Sequence, residues 1–177
     1  MNSQITSTQA TELVSNLKSG QIATVPTETV EGYAVSLDSI SAIRALMKLK
    51  DRDYDSGKVF TLVPESPEHI NQYAIISKTA QFLINQYIPG ELTIILPKNP
   101  SFHHPYYDHF DTIGIRIPDH PLFTQILPLT GSLILTSANL RGGTPKSFTG
   151  HLPSTIVDST TDTPKIIRQG NLQINLP

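Results

Sequence analysis

Apolar and polar positions alternate in short blocks along this chain, and the blocks predict brief helices and strands in mixed order. Ala10, Leu13 and Leu17 recur at helical spacing, Ser and Thr residues precede them and Gly20 follows, so a helix is predicted over 7–19. The run Ile22-Ala23-Thr24-Val25 predicts a buried strand over 22–26, ended by Pro26. A helix over 39–48, with Ser39 as N-cap and Ile43, Leu46 and Met47 inward, leads to a charged loop from Lys50 to Gly57. A strand over 58–63, a helical turn within 66–73 and a helix over 77–87 follow. Pro89-Gly90 turns the chain into a strand over 91–96. Residues 98–110 are rich in Pro, His and Tyr and read as a loop. A strand over 112–117, a short helix around 121–127 and a buried strand over 132–136 come next. After a Gly/Pro/Ser loop over 140–153, strands at 155–158 and 164–167 close the chain. No repeat and no linker divides it. The expectation is an α/β fold, a twisted mixed sheet flanked by helices, in a single domain over 1–177.

Composition narrows the function. Charged residues make up 16% of the 177, below the usual quarter, and the net charge is −2. Proteins that live on phosphate-backbone contacts are usually basic, so nothing global points to nucleic acid. The absence of cysteine excludes a disulfide frame, a thiolate nucleophile and Cys-ligated zinc. The N-terminus has neither the basic start nor the apolar run of a signal peptide. No apolar stretch approaches the ~18 residues of a membrane span. The expectation is a soluble cytoplasmic protein with no membrane partner.

Four segments at strand ends carry candidate chemistry. The first holds Thr27 and Thr29; the second holds Lys50, Arg52 and, on the next strand, Lys58. In the third, Thr112 and Arg116 share one face of a strand whose other face carries Ile113, Ile115 and Ile117. An arginine inside such a strand needs an anion or a cavity. The fourth, Thr136-Ser137-Ala138-Asn139, places Ser137 and Asn139 on the same side. Hydroxyls and cations converging without matching carboxylates suit an acceptor-rich anion, such as a nucleoside triphosphate beside a carboxylate substrate. Walker and dinucleotide fingerprints are missing, and Ser137 lies in no Gly-x-Ser-x-Gly elbow. His103, His104, Asp108 and His109 fit no helical zinc spacing and read as a surface loop, so no metal ligands are assigned.

These segments resemble, in order, the motifs of YrdC-like domains, the threonylcarbamoyl-AMP synthases. Pro26-Thr27-Glu28-Thr29-Val30 with Gly32 resembles the opening motif, and Lys50, Arg52 and Lys58 the Lys-x-Arg…Lys loop. Pro89-Gly90-Glu91-Leu92-Thr93 resembles the Pro-Gly-x-x-Thr turn, and Thr112 to Pro118 with His120-Pro121 the strand ending in Arg-x-Pro-x-His. Thr136 to Asn139 resembles the Ser-x-Asn motif, and Ser154 to Asp158 with Arg168 and Gly170 the closing strands. The likeness covers about residues 8–172. It implies a sheet with a deep basic cavity and a single-domain member of the family. The implied reaction joins L-threonine, bicarbonate and ATP, with Mg²⁺ carried by ATP, into threonylcarbamoyl-adenylate and pyrophosphate. The adenylate serves modification of adenosine 37 in tRNA. Lys50, Arg52 and Lys58 would hold phosphates, joined by Ser137 and Asn139, with Thr112, Ser147 and Arg168 around the nucleotide. Thr29, Thr61, Arg116 and Ser154 would hold threonine. Partner proteins of tRNA modification are implied, as is tRNA or double-stranded RNA.

The chain departs from the family pattern at Glu31, where the family has Tyr, and at Ala34, Asp53 and Ser56. Placing Lys58 on the family's last lysine needs one inserted residue within 53–57; otherwise Ser56 takes that position. A second reading is a non-catalytic RNA-binding or assembly module that keeps the cavity. A third is chemistry on another carbamoyl-type substrate.

Overall fold

The structure is a computed structural model that describes residues 6–140, 143 and 152–176. Its strands are β1 (Ala23–Val25), β2 (Gly32–Ser36), β3 (Thr61–Val63), β4 (Leu92–Pro97), β5 (Thr112–Ile115), β6 (Leu133–Ser137), β7 (Thr155–Asp158) and β8 (Lys165–Arg168). Its helices are α1 (Ser7–Lys18), α2 (Ile40–Leu49), α3 (Ile70–Tyr73), α4 (Lys78–Tyr87) and α5 (Pro121–Thr130). The strands form one sheet in the order β1-β2-β6-β3-β5-β4-β7-β8. The β3–β5 and β4–β7 pairs are parallel and the others antiparallel, so the sheet is mixed as expected.

Local chemistry starts the helices where the sequence places them. Thr6 and Gln9 form a capping box at α1, and Ser39 and Ser77 accept backbone N–H groups at the starts of α2 and α4. α5 runs to Thr130, three residues past its expected end, with Pro128 near its close. The strand β2 was not expected. Gly and Ala are poor strand formers, and here pairing with β1 on one side and β6 on the other overrides propensity. Gly32 suits that place, because a Cβ there would lie 2.6 Å from Leu135 Cδ1.

Alternation along the strands divides two cores. Ile134, Val35, Leu62, Ile94 and Ile115 face a large core with α2, α3 and α4. Leu133, Leu135, Ala34 and Val63 face a smaller core with α1 and α5. The expected surface loop over 98–110 is partly interior: Tyr106 and Tyr107 are buried in the large core. His104 is buried too, its Nδ1 accepting from the Tyr106 N–H and its Nε2 bonded to the Leu37 carbonyl. On the face of the sheet that carries the smaller core, residues of β2, β3, β4, β6 and β7 line the hollow described below. Among the described residues no helix is long and apolar enough to cross a membrane.

The far edge of the hollow rests on a close approach. A Cβ at Gly170 would lie 2.3 Å from the Pro153 carbonyl oxygen and 2.8 Å from the Thr155 nitrogen. Gly170→Ala is expected to cost about 1–3 kcal/mol, since backbone cannot yield as a side-chain tip can. At roughly 2–4 °C per kcal/mol for a chain of this size, thermal unfolding reads the loss directly, and an unchanged melting temperature would refute it.

Candidate active site

The hairpin between β1 and β2 carries Thr27 to Glu31 over one end of the sheet. Thr27 Oγ1 donates to the Val30 carbonyl at 2.7 Å and accepts from the Thr29 N–H at 3.1 Å, which folds the loop on itself. Thr29, 2% exposed, is thereby directed inward, where its hydroxyl accepts from Arg116 Nη2 at 2.8 Å. Glu28 is turned the same way: Arg116 Nη2 donates to its Oε1 at 2.9 Å. Arg116 Nε donates to the Gly90 carbonyl at 3.2 Å. Three contacts from two separate segments thus fix a buried guanidinium. Nη1 keeps both protons without a partner among the described residues, and Arg116 lines the hollow. These two protons diverge, so Nη1 offers a carboxylate one charge-assisted hydrogen bond and leaves the second proton for a neighbouring acceptor.

Beside Arg116, strands β4, β7 and β8 build one wall. Thr93 and Ser154 hydroxyls meet at 2.8 Å, both buried. Arg168 holds Ser154, donating to its carbonyl through Nε at 3.0 Å and Nη2 at 2.8 Å, and to its Oγ at 3.1 Å. Burial of its guanidinium, with the charge of Arg116 second, pulls the Arg168 pKa below its ordinary value. The sequence reading missed Thr93 and Glu28 as site residues. The signal for Thr93 was present: one hydroxyl among Leu92, Ile94 and Leu96, facing the other way.

The opposite wall begins at the end of α2. Lys50 caps the helix and Asp51 takes a left-handed conformation, φ 47. The Asp51 N–H donates to the Lys48 carbonyl and the Arg52 N–H to the Met47 carbonyl, a Schellman turn that directs Arg52 toward the hollow. Its guanidinium lies 4.9 Å from the centre of the Phe60 ring. Phe60 is clamped in turn, its N–H donating to Tyr106 Oη at 3.0 Å and its carbonyl accepting from Tyr107 Oη at 3.1 Å. Burial pushes the Tyr106 pKa up to about 12, so that hydroxyl stays neutral. Burial also lowers Arg52 from its ordinary value, though a guanidinium remains charged at neutral pH.

Thr61, Thr136, Ser137 and Glu31 complete the lining of a hollow of about 190 Å³. Of the sequence-predicted site residues, Arg52, Thr61, Arg116, Ser137, Ser154 and Arg168 come together here. Thr29 stands behind Arg116, and Lys50 and Asn139 stand behind Ser137, bonded to each other. Lys58 is exposed in the segment before β3, which starts at Thr61, and it does not line the hollow. Neither does Ser56, whose hydroxyl donates to the Asp53 carbonyl at 2.8 Å. Thr112 opens β5, which ends at Ile115, so the expected shared strand face does not extend to Arg116; four residues of extended chain is roughly 13 Å, and Thr112 does not reach the lining. Ser147 lies outside the described residues. The expected lack of carboxylates also needs correction. Glu28 is paired with Arg116 and Glu31 sits in the lining, so among the described residues three lining guanidiniums face two carboxylates, an excess of one positive charge.

The histidine loop is held by an ion pair, Lys98 Nζ lying 3.1 Å from Asp108 Oδ1, with His103 Nδ1 3.8 Å from the same oxygen. Among the described residues no group of three His, Cys, Asp or Glu is placed to hold a metal ion.

The family model described as telomere recombination, for the Sua5/YciO/YrdC domain, matches residues 15–149. A threonylcarbamoyl-AMP synthase of Klebsiella pneumoniae is 29% identical over 90% of this chain and 85% of its own length. One from Vibrio campbellii is 33% identical over 76% of this chain and 74% of its own. The crystal structure of P. abyssi Sua5 complexed with L-threonine superposes with a TM-score of 0.83 at 23% identity, over 96% of this chain and 56% of that one. At that identity the superposition speaks for the fold, and this chain spans little more than half of that protein. With 135 consecutive residues under the family model and that sheet beneath them, the chain belongs to the Sua5/YciO/YrdC family.

Proposed function

We propose that the chain is an L-threonylcarbamoyladenylate synthase, a nucleotidyltransferase acting on L-threonine, bicarbonate and ATP. The observation that carries this reading is Arg116. It is buried, held from behind by Glu28, Thr29 and Gly90, and presents an uncommitted Nη1 donor to a hollow whose facing wall carries Arg52. In the reaction the threonine amine joins bicarbonate to form a carbamate with loss of water. The carbamate oxygen then attacks the α-phosphorus of ATP, and the bond to the β-phosphate oxygen breaks to release pyrophosphate. The chain's contribution is to hold two mutually repelling anions in line, through positioning and fixed positive charge. Arg116 takes the amino-acid carboxylate, with the Thr61 hydroxyl and the Thr93–Ser154 pair alongside. Arg52, Ser137 and Arg168 face the phosphates.

A volume of about 190 Å³ is below the ~300–1,000 Å³ of whole small-molecule sites. The hollow therefore takes the reacting ends, with the adenosine toward its mouth. One excess positive charge does not neutralise a triphosphate. Mg²⁺ carried in with ATP would supply the remainder by screening phosphate charge. The product goes to tRNA-modification partner proteins that act on tRNA in the cytoplasm.

Incubation with ATP, threonine and bicarbonate should release pyrophosphate only when threonine is present. Release independent of threonine, or none, would overturn the reading; RNA binding without nucleotide binding would instead mark an assembly module. Glu31 opposes phosphate charge, so Glu31→Gln is expected to tighten ATP binding about three- to tenfold, or roughly 0.7–1.4 kcal/mol. Titration calorimetry reads this, and weaker binding would show that Glu31 accepts from a substrate.

A further inference from the structure

Lys50 ends α2, yet it is only 4% exposed and does not line the hollow that Arg52, two residues on, helps to form. An ammonium has three protons to donate. Three acceptors surround this one: the Ser137 carbonyl at 2.9 Å, Asn139 Oδ1 at 3.1 Å and the Asn139 carbonyl. All belong to the turn at the end of β6, 87 and 89 residues further along the chain. A phosphate oxygen could reach this ammonium only by breaking one of these bonds.

The partner side is equally committed. Asn139 Oδ1 also accepts from Ser137 Oγ at 2.6 Å, and its Nδ2 donates to the Leu140 carbonyl at 3.1 Å and the Gly143 carbonyl at 2.7 Å. The turn is pinned across the sheet as well, the Ala138 N–H donating to the Glu31 carbonyl at 2.7 Å. A buried ammonium persists only when its protons are all accepted. Burial, and the Arg52 charge after it, lowers the Lys50 pKa, so those carbonyl oxygens are what keep the charge in place.

We infer that Lys50 is a positioning residue: its ammonium ties the end of α2 to the Ser137–Asn139 turn, fixing Arg52 and the Ser137 hydroxyl relative to one another, and it does not touch the nucleotide. The kinetic part of this inference rests on the synthase reading; the structural tie does not.

Lys50→Met keeps the apolar stem and removes the tie. In the ligand-free protein, the Ala138 and Asn139 amides are expected to exchange hydrogen about tenfold faster or more. At saturating ATP and threonine, kcat for pyrophosphate release falls about 10–100-fold, the scale of an ångström-sized misplacement. The preference for ATP over AMP, measured by calorimetry, stays within about twofold, whereas a lysine on the β- and γ-phosphates would shift it by about tenfold or more. Asn139→Ala loosens the same turn from the other side and carries the same readouts should Lys50→Met not fold. Because both act on one tie, the double variant costs less than the sum of the two. Unchanged exchange, unchanged kcat or a collapsed ATP/AMP preference each overturns the inference. A native chain that binds no nucleotide sinks the synthase reading, and the exchange measurement then decides on Lys50 alone.

Discussion

Arg116→Met is expected to abolish threonine-dependent pyrophosphate release and to lower stability by about 3–5 kcal/mol. The two losses have different origins. Arg116 is 6% exposed and is the partner of Glu28 Oε1, whose other oxygen, Oε2, is buried without a hydrogen-bond partner among the described residues. Removing the guanidinium leaves that carboxylate uncompensated in the interior, and the fold bears the cost. Activity is lost for a separate reason: the Nη1 donor is what the hollow offers to the amino-acid carboxylate. Adding Glu28→Gln separates the effects. The double variant no longer buries a lone charge, so most of the melting temperature returns, while pyrophosphate release stays absent. Recovery of both in the double variant would show that Arg116 is a structural partner of Glu28 and nothing more. Threonine titrated by calorimetry into the double variant should give no measurable heat.

The same residue shows how far the sequence could be read. Alternation of Ile113, Ile115 and Ile117 placed Arg116 on the face away from the core, and an arginine there demanded an anion. Period-two patterning settles which face a residue takes, so Ser137 was also legible, while Thr61 and Ser154 came from the family resemblance. It does not say where a strand ends, which is why Thr112 was grouped with Arg116. Nor does it say whether a cation reaches a cavity or is consumed by carbonyls on the way, which separates Arg52 from Lys50. Glu28 was hidden because its partner lies 88 residues away, and only the folded hairpin brings them together. Strand β2 was hidden because its Gly and Ala owe their conformation to two neighbouring strands. The 98–110 loop read as surface from its polar content, but Tyr106 and Tyr107 bury rings while their hydroxyls clamp Phe60.

Arg52→Met is expected to weaken ATP binding about 100-fold while leaving threonine binding within about twofold of native. A hydrogen bond to a charged group contributes about 1.5–3 kcal/mol, and about 2.7 kcal/mol corresponds to 100-fold; a forked guanidinium on phosphate oxygens reaches that range. Threonine is spared because its carboxylate is assigned to Arg116, held from other elements. Stability should change little, in contrast to Arg116. The Arg52 guanidinium makes no hydrogen bond or ion pair among the described residues, only the approach to the Phe60 ring at 4.9 Å. Its loss therefore strands no buried partner, and a cation–π contact at a partly exposed site accounts for about 0.5–1 kcal/mol. Methionine keeps an apolar group over Phe60, so the tyrosine clamp beneath is undisturbed. Arg52→Lys should recover only part of the affinity, since an ammonium supplies charge without the planar fork. Calorimetric titration of ATP and of threonine into each variant checks the pattern. Native ATP affinity in Arg52→Met would remove this wall of the hollow from the phosphate site.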